Sequence, residues 1–195
     1  FITGGNGFVG RHLVAHLVAQ GDEVVIFDLP SDVTSTEDVA QALAAHRPDA
    51  IYHLAALSHV GTSWDDPSLV LHVNVLGTAA VLAAARREAP DATVLVVSSA
   101  EVYGTVQPED LPLTEQSDVR PTSPYAASKA AAEDVALQAA RGFAQRVIVV
   151  RPFNHVGPGQ APTFFVPAMV TRLLEASRDG RHAVPVGTLT TRRDF

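Results

Sequence analysis

Apolar residues fall along the chain in two alternating kinds of run. Short continuous runs, suited to strands buried on both faces, end at Thr3 and recur at Glu23 to Asp28, Ala50 to Ala56, Asp91 to Ser98 and Arg146 to Val150. Between them lie helically spaced stretches. The first puts Val9, Leu13, Leu17 and Val18 on one face. The others run from about Thr36, as cap, to Arg47, from about Pro67 to Glu88, and from about Tyr125 to Ala140 behind Ser123-Pro124. This alternation predicts a doubly wound, parallel α/β sheet. The interval from Asp28 to Asp32 is too short for a further full strand. Past Arg151 the texture changes: prolines 152, 158, 162, 167 and 185 frame a loop from Phe153 to Gln160, a helix from about Phe164 to Ser177 and a short strand near His182 to Val186. The expected organisation is a dinucleotide-binding domain over 1–150 and the start of a smaller substrate-binding region over 151–195. Both ends read as cut, on Phe1-Ile2-Thr3 and on Arg192-Arg193-Asp194-Phe195.

The turn after the first strand makes the fold Rossmann-like. Gly5-x-Gly7-x-x-Gly10 and the wider Gly4-x-x-Gly7-x-x-Gly10 both fit a dinucleotide fingerprint. Glycines admit a pyrophosphate close to the backbone, and the helix N-terminus offers amide donors and a positive dipole. Asp28 ends the second strand, where its carboxylate would bind a ribose and repel a 2′-phosphate. Small residues at Leu54-Ala55-Ala56 leave room for a ligand. Ser98-Ser99 sit at the carboxyl end of a central strand, where such sheets bind ligands.

Tyr125 and Lys129, four apart, share a helix face, and Lys129 is the sole lysine beside thirteen arginines. A fixed ammonium would lower the phenol's pKa and let the pair exchange a proton near neutrality. Composition narrows the rest. A net charge of −7 with scattered arginines argues against a nucleic-acid partner. No apolar run was expected to reach the length of a membrane span, and no signal peptide is seen, so no membrane partner is expected. With no cysteine, disulfides and thiolate metal sites are excluded and a cytoplasmic location follows by default. His12, His16, His53, His59 and His155 lack ligand spacing, so no metal is expected.

Six motifs occur in order: Thr3-Gly4-x-x-Gly7-Phe8-x-Gly10, His53-Leu54-Ala55-Ala56, Asn74-Val75-x-Gly77-Thr78, Ser98-Ser99-x-Glu101-Val102-Tyr103-Gly104, Tyr125-x-x-x-Lys129 and Arg151-Pro152-Phe153-Asn154. Together they resemble the extended short-chain dehydrogenase/reductases that act on nucleotide sugars. The resemblance implies NAD or NADP, a nucleotide-sugar substrate and a homodimer built on the helices carrying Asn74 and Tyr125. It assigns acid/base chemistry to Tyr125, ribose binding and pKa lowering to Lys129, and the reacting oxygen to Ser99. Gly4, Gly7, Phe8, Val9, Gly10, Asp28, Asp32, Val33, Leu54, Ala55, Ala56 and Asn74 would hold the cofactor, with Asp32-Val33 at adenine. Ser99, Glu101, Asn154 and Arg193 would meet the substrate. Asp28 favours NAD. Within the family, Ser99-Ala100-Glu101 departs from the Thr-Asp-Glu or Thr-Ser-Glu of 4,6-dehydratases. The stretch from Phe153 to Gln160 looks most like GDP-4-dehydro-6-deoxymannose reductases. A 4-keto reductase is the expectation, with a 4,6-dehydratase, in which Glu101 would be catalytic, or a 4-epimerase as alternatives. A non-catalytic dinucleotide sensor of the same fold is the alternative from another class.

Overall fold

The computed structural model describes residues 1–188, 190 and 194–195. The chain divides into two compact units, Phe1–Pro152 and Phe153–Phe195.

The first unit is a five-stranded, all-parallel sheet in the order β2-β1-β3-β4-β5. The strands are β1 (Ile2–Thr3), β2 (Ile26–Phe27), β3 (Ala50–His53), β4 (Thr93–Val97) and β5 (Val147–Val150). Helices α1 (Phe8–Gln20), α2 (Thr36–His46), α3 (Pro67–Leu71), α4 (Gly77–Glu88) and α5 (Pro124–Phe143) connect them. The chain leaves β1 to one side for β2 and returns to the other side for β3. That reversal opens a crevice at the carboxyl ends of β1 and β3, where doubly wound sheets bind ligands. No further strand lies between Asp28 and α2.

The core lies on the sheet face covered by α2, α4 and α5. Phe1, just ahead of β1, and Ile51, Val94 and Val96 from the strands meet Val39, Leu43, Val81, Ala84 and Ala136 from the helices. Alanines let these helices approach the sheet closely. Leu43 is fully buried, which contributes about 2–3 kcal/mol of transfer free energy. The α1 face differs from expectation. Only Gly10 of α1 is buried, while Val9 and Val18 remain exposed, so its apolar stripe is only partly covered.

Local chemistry explains the helix starts. The hydroxyl of Ser123 accepts from the Ala126 amide (3.1 Å), and Pro124 follows at the first helical position. α2 is capped by Ser35, accepting from Asp38 (3.2 Å), and not by Thr36. A π turn over His72–Leu76 joins α3 to α4. The resulting helical run Pro67–Glu88 is long and apolar enough to cross a membrane by length and composition, with mean hydropathy 1.8, and half of its apolar window is buried in the fold. The sequence reading missed this because Ser68, His72, Asn74 and Thr78 interrupt the apolar run without offsetting its alanines and leucines.

The second unit contains α6 (Phe165–Arg178). The strand expected near His182 to Val186 does not form among the described residues. A strand needs a pairing partner, and Pro185 has no amide to offer one.

Candidate active site

The loops after β1, β3 and β4 and the N-terminal half of α5 carry most of the expected site residues. In the loop after β1, Gly4 has φ +71° and faces the loop after β3: a Cβ there would lie 2.7 Å from the Ala55 nitrogen. A Cβ on Gly10 would strike the carbonyls of Gly4 and Gly5. At Gly5 it would meet only the Ile26 side chain. The backbone therefore requires the wider spacing, Gly4-x-x-Gly7-x-x-Gly10. Phe8 and Val9 open α1 behind it. Asp28 binds this loop directly: Oδ2 accepts from the Asn6 amide and Oδ1 from Leu29, each at 2.8 Å. Asp32 closes the turn before α2, its Oδ1 accepting from the amide (2.8 Å) and hydroxyl (2.7 Å) of Thr34; those bonds hold its carboxyl below the usual range. Val33 packs against the Cα of Gly77, where a Cβ would come within 3.2 Å.

A buried polar network joins these loops to α5. Thr78 Oγ1 donates to the Asn74 carbonyl (2.7 Å), so toward His53 Nε2 (3.0 Å) it accepts. His53 therefore carries its proton on Nε2, and Nδ1 accepts from Thr3 Oγ1 (2.8 Å). Thr3 Oγ1 in turn accepts from the Ala55 amide (3.2 Å). Burial, reinforced by the Lys129 charge, lowers the His53 pKa to about 3. Asn74, expected among the cofactor contacts, is engaged by the protein itself. Its amide accepts from Leu57 N (2.8 Å) and donates to Leu57 O (3.1 Å) and Ser128 Oγ (2.8 Å). With both N–H groups used, it frames the loop after Leu54-Ala55-Ala56. Ser128 Oγ then donates to the Tyr125 carbonyl (2.7 Å).

Tyr125, Lys129 and Ser99 are buried together at the end of β4. Lys129 Nζ donates to the Val97 carbonyl (2.8 Å), and burial lowers its pKa to about 8. The expected lowering of the tyrosine is not found. Burial pushes the Tyr125 phenol up, its hydrogen bond with Ser99 offsets part of this, and the Glu101 carboxylate pushes it up again. Helical spacing placed the lysine correctly, but its ammonium is tied to a carbonyl. Ser99 Oγ also accepts from the Glu101 amide (3.2 Å), and the Glu101 side chain is exposed.

Sequence reading assigned no role to Glu133 or Arg151. Glu133 lies one turn beyond Lys129 on the same face of α5, and that four-residue repeat was the signal available. Asn154 lies in the second unit, donating to the Asp194 carbonyl (2.8 Å). Arg193 lies outside the described residues. That unit also has a cavity of about 460 Å³ lined by Arg172, Glu175, Arg181, Val184, Pro185 and Val186. No group of three or more metal-ligating side chains occurs among the described residues.

A glycine cradle and a buried Ser-Tyr-Lys cluster on a doubly wound sheet define a dinucleotide-dependent type of site. The chain belongs to the NAD dependent epimerase/dehydratase family, whose profile matches residues 1–195. It is 38% identical over 198 residues to the GDP-6-deoxy-D-mannose reductase of Pseudomonas aeruginosa, covering all of this chain and 65% of that protein. The structure of RMD from Pseudomonas aeruginosa complexed with NADPH superimposes with a TM-score of 0.87 at 38% identity, covering 100% of this chain and 66% of that one. DesIV, a dTDP-glucose 4,6-dehydratase from Streptomyces venezuelae solved with NAD and TYD bound, gives a TM-score of 0.83 at 34% identity, covering 90% and 62%. The chain thus spans just under two thirds of the length of these relatives.

Proposed function

We propose that the chain is part of an NAD(P)-dependent oxidoreductase that reduces a 4-keto-6-deoxy nucleotide sugar of the GDP-4-dehydro-6-deoxymannose type. The observation that carries this reading is the burial of Ser99, Tyr125 and Lys129 together at the end of β4, with Lys129 Nζ anchored on the Val97 carbonyl. The loop is of the kind that takes a dinucleotide, because Gly4 and Gly10 let it fold tightly onto Ala55 and onto its own carbonyls just ahead of the α1 N-terminus. Gly4, Gly7, Gly10 and the first amides of α1 would take the pyrophosphate, and Asp28 the adenosine ribose. Asp28 supports NAD over NADP, since its fixed carboxylate would face a 2′-phosphate with like charge.

When bound, the reduced dinucleotide supplies the hydride for the sugar C4. Ser99 would hold the carbonyl oxygen, and the phenol would give it a proton. A phenol raised above its ordinary value stays protonated at neutral pH, as a general acid requires. The Lys129 ammonium would stabilise the phenolate left behind. Glu101 favours the dehydratase as second reading, since its carboxylate lies close enough to raise Tyr125. We also place a homodimer contact on the exposed stripe of Leu69, Leu76 and Ala83 with Ala127, Asp134 and Gln138 of α5. A monomer by sedimentation at micromolar concentration would remove it.

The test incubates the full-length protein with NADH and a panel of 4-keto nucleotide sugars, following NADH absorbance and product stereochemistry. A reductase consumes one NADH per turnover. Turnover without net NADH consumption would replace it by the dehydratase.

A further inference from the structure

Glu133 has side-chain exposure of 5%, yet its carboxylate carries three hydrogen bonds. It accepts from Ser98 Oγ, from Arg151 Nε (2.8 Å) and from Arg151 Nη2 (2.6 Å). Arg151 has a second task. Its Nη1 donates to Tyr103 OH (3.1 Å) and to the Glu115 carbonyl (3.3 Å), and its guanidinium lies 5.0 Å from the centre of the Tyr103 ring. Tyr103 OH donates onward to the Thr114 carbonyl (3.0 Å).

One carboxylate therefore ties α5 to the ends of β4 and β5, to the turn over Ala100–Tyr103 and to the loop through Glu115. Those segments carry Ser99, Glu101, Tyr125 and Lys129. The backbone fixes the strand end on both sides of Ser99: Ser98 N donates to Val150 O (2.8 Å) and Ala100 N to Pro152 O (3.0 Å). These bonds set Ser99 relative to β5. Across to α5, Lys129 Nζ on the Val97 carbonyl is one tie, and the Ser98–Glu133–Arg151 link adds a second at Ser98 itself. A buried ion pair is a weak source of net stability, because desolvation offsets the Coulomb gain. A planar fork on a carboxylate fixes angle as well as distance.

We propose that Glu133 and Arg151 are positioning residues that hold the Ser99 strand end and the loop through Glu115 in register with the Tyr125–Lys129 helix. Neither touches the reacting atoms. The kinetic part of the proposal rests on the reductase reading above; the structural part does not.

The test uses the full-length protein and two readouts. The first is kcat against KM for a 4-keto nucleotide sugar, with dinucleotide Kd beside it. Glu133→Gln and Arg151→Lys each lower kcat by about 10- to 100-fold, because a displacement of about 1 Å is that costly. Dinucleotide Kd changes by less than about 3-fold, since the glycine loop lies apart from the clamp. The second readout is amide exchange without substrate. Exchange over 99–104 and 114–120 rises about 10-fold or more, and exchange over 36–53 does not change. The double variant Glu133→Leu with Arg151→Met refills the site with apolar groups and recovers thermal stability but not kcat. Should Glu133→Gln fail to fold, Ser98→Ala and Tyr103→Phe each remove one bond and show the same pattern at about 3- to 10-fold. Unchanged kcat with raised local exchange, exchange raised uniformly, or a double variant with full kcat overturns the proposal. If the wild-type protein reduces no 4-keto sugar, the reductase reading fails alone. The exchange readout still decides whether the clamp orders the two segments.

Discussion

Acid should destabilise this fold through His53. Its ring is almost fully buried and both nitrogens are committed, Nε2 as donor to Thr78 and Nδ1 as acceptor from Thr3. Protonating Nδ1 would set two donors against each other and place a cation near Lys129. The folded pKa of about 3 lies below the ordinary value of 6.5. The sign follows directly. As pH falls below 6.5 the unfolded chain takes a proton that the folded chain refuses, so stability is lost across the window from 6.5 down to about 3. Each pH unit in that window costs about 1.4 kcal/mol. Between pH 7.5 and pH 5.0 the loss from His53 alone is about 2 kcal/mol. Other groups titrate over the same range, so the assay is a difference. Urea unfolding of the wild type and of His53→Gln is measured at both pH values. Glutamine supplies one acceptor and one donor and cannot ionise. The variant should be weaker at pH 7.5 by about 1–2 kcal/mol through imperfect hydrogen bonds. It should then lose about 2 kcal/mol less on acidification. Parallel losses in the two proteins would show that His53 is not held neutral and would refute the tautomer assignment.

Three further outcomes can be measured. Lys129 titrates near 8, so kcat/KM should fall as pH rises through about 8, and Lys129→Arg should move that limb upward even at lower absolute activity; a limb that stays in place removes Lys129 from the titration. Asp28→Ala should narrow the gap between NADH and NADPH binding by about 5-fold, the weight of one like-charge contact of about 1 kcal/mol fully screened by water; equal affinities in the unmodified protein would sink the NAD preference. Glu101→Gln should cost under about 10-fold in ketone reduction and Tyr125→Phe about 100-fold or more, and equal losses would transfer the chemistry to the dehydratase reading.

The alternation of strands and helices was legible because each element has a distinct apolar period, and the sheet follows from it. The glycine spacing was legible only as a choice between two. The close approach of Gly4 to Ala55 settles it, and that approach joins two loops fifty residues apart. Ser35 and Thr36 are both good caps, and only the position of the Asp38 amide selects between them. The spacing of Tyr125 and Lys129 gave their common face but neither the burial that raises one nor the carbonyl that holds the other. Glu133 and Arg151 were invisible as a pair because they meet only when β5 is laid against α5, across eighteen positions of sequence. Asn74 stood out in a motif, but its full commitment to Leu57 and Ser128 is a tertiary fact.

The two buried networks flanking α5 differ in charge, and the difference bears on Lys129. On one side His53 is neutral. As an imidazolium it would push Lys129 further down and weaken its hold on an anion. On the other side Glu133, one turn along, is wholly matched by the Arg151 fork and Ser98. An unmatched carboxylate there would draw the ammonium away and cancel its field. Lys129 itself is held by a neutral carbonyl, Val97 O, which orients it without neutralising it. The surrounding groups are thus neutral or already paired, and the ammonium is left unneutralised. It is this arrangement of partners around Lys129, more than its spacing from Tyr125 in sequence, that leaves a buried positive charge on the face of α5 that also carries the phenol.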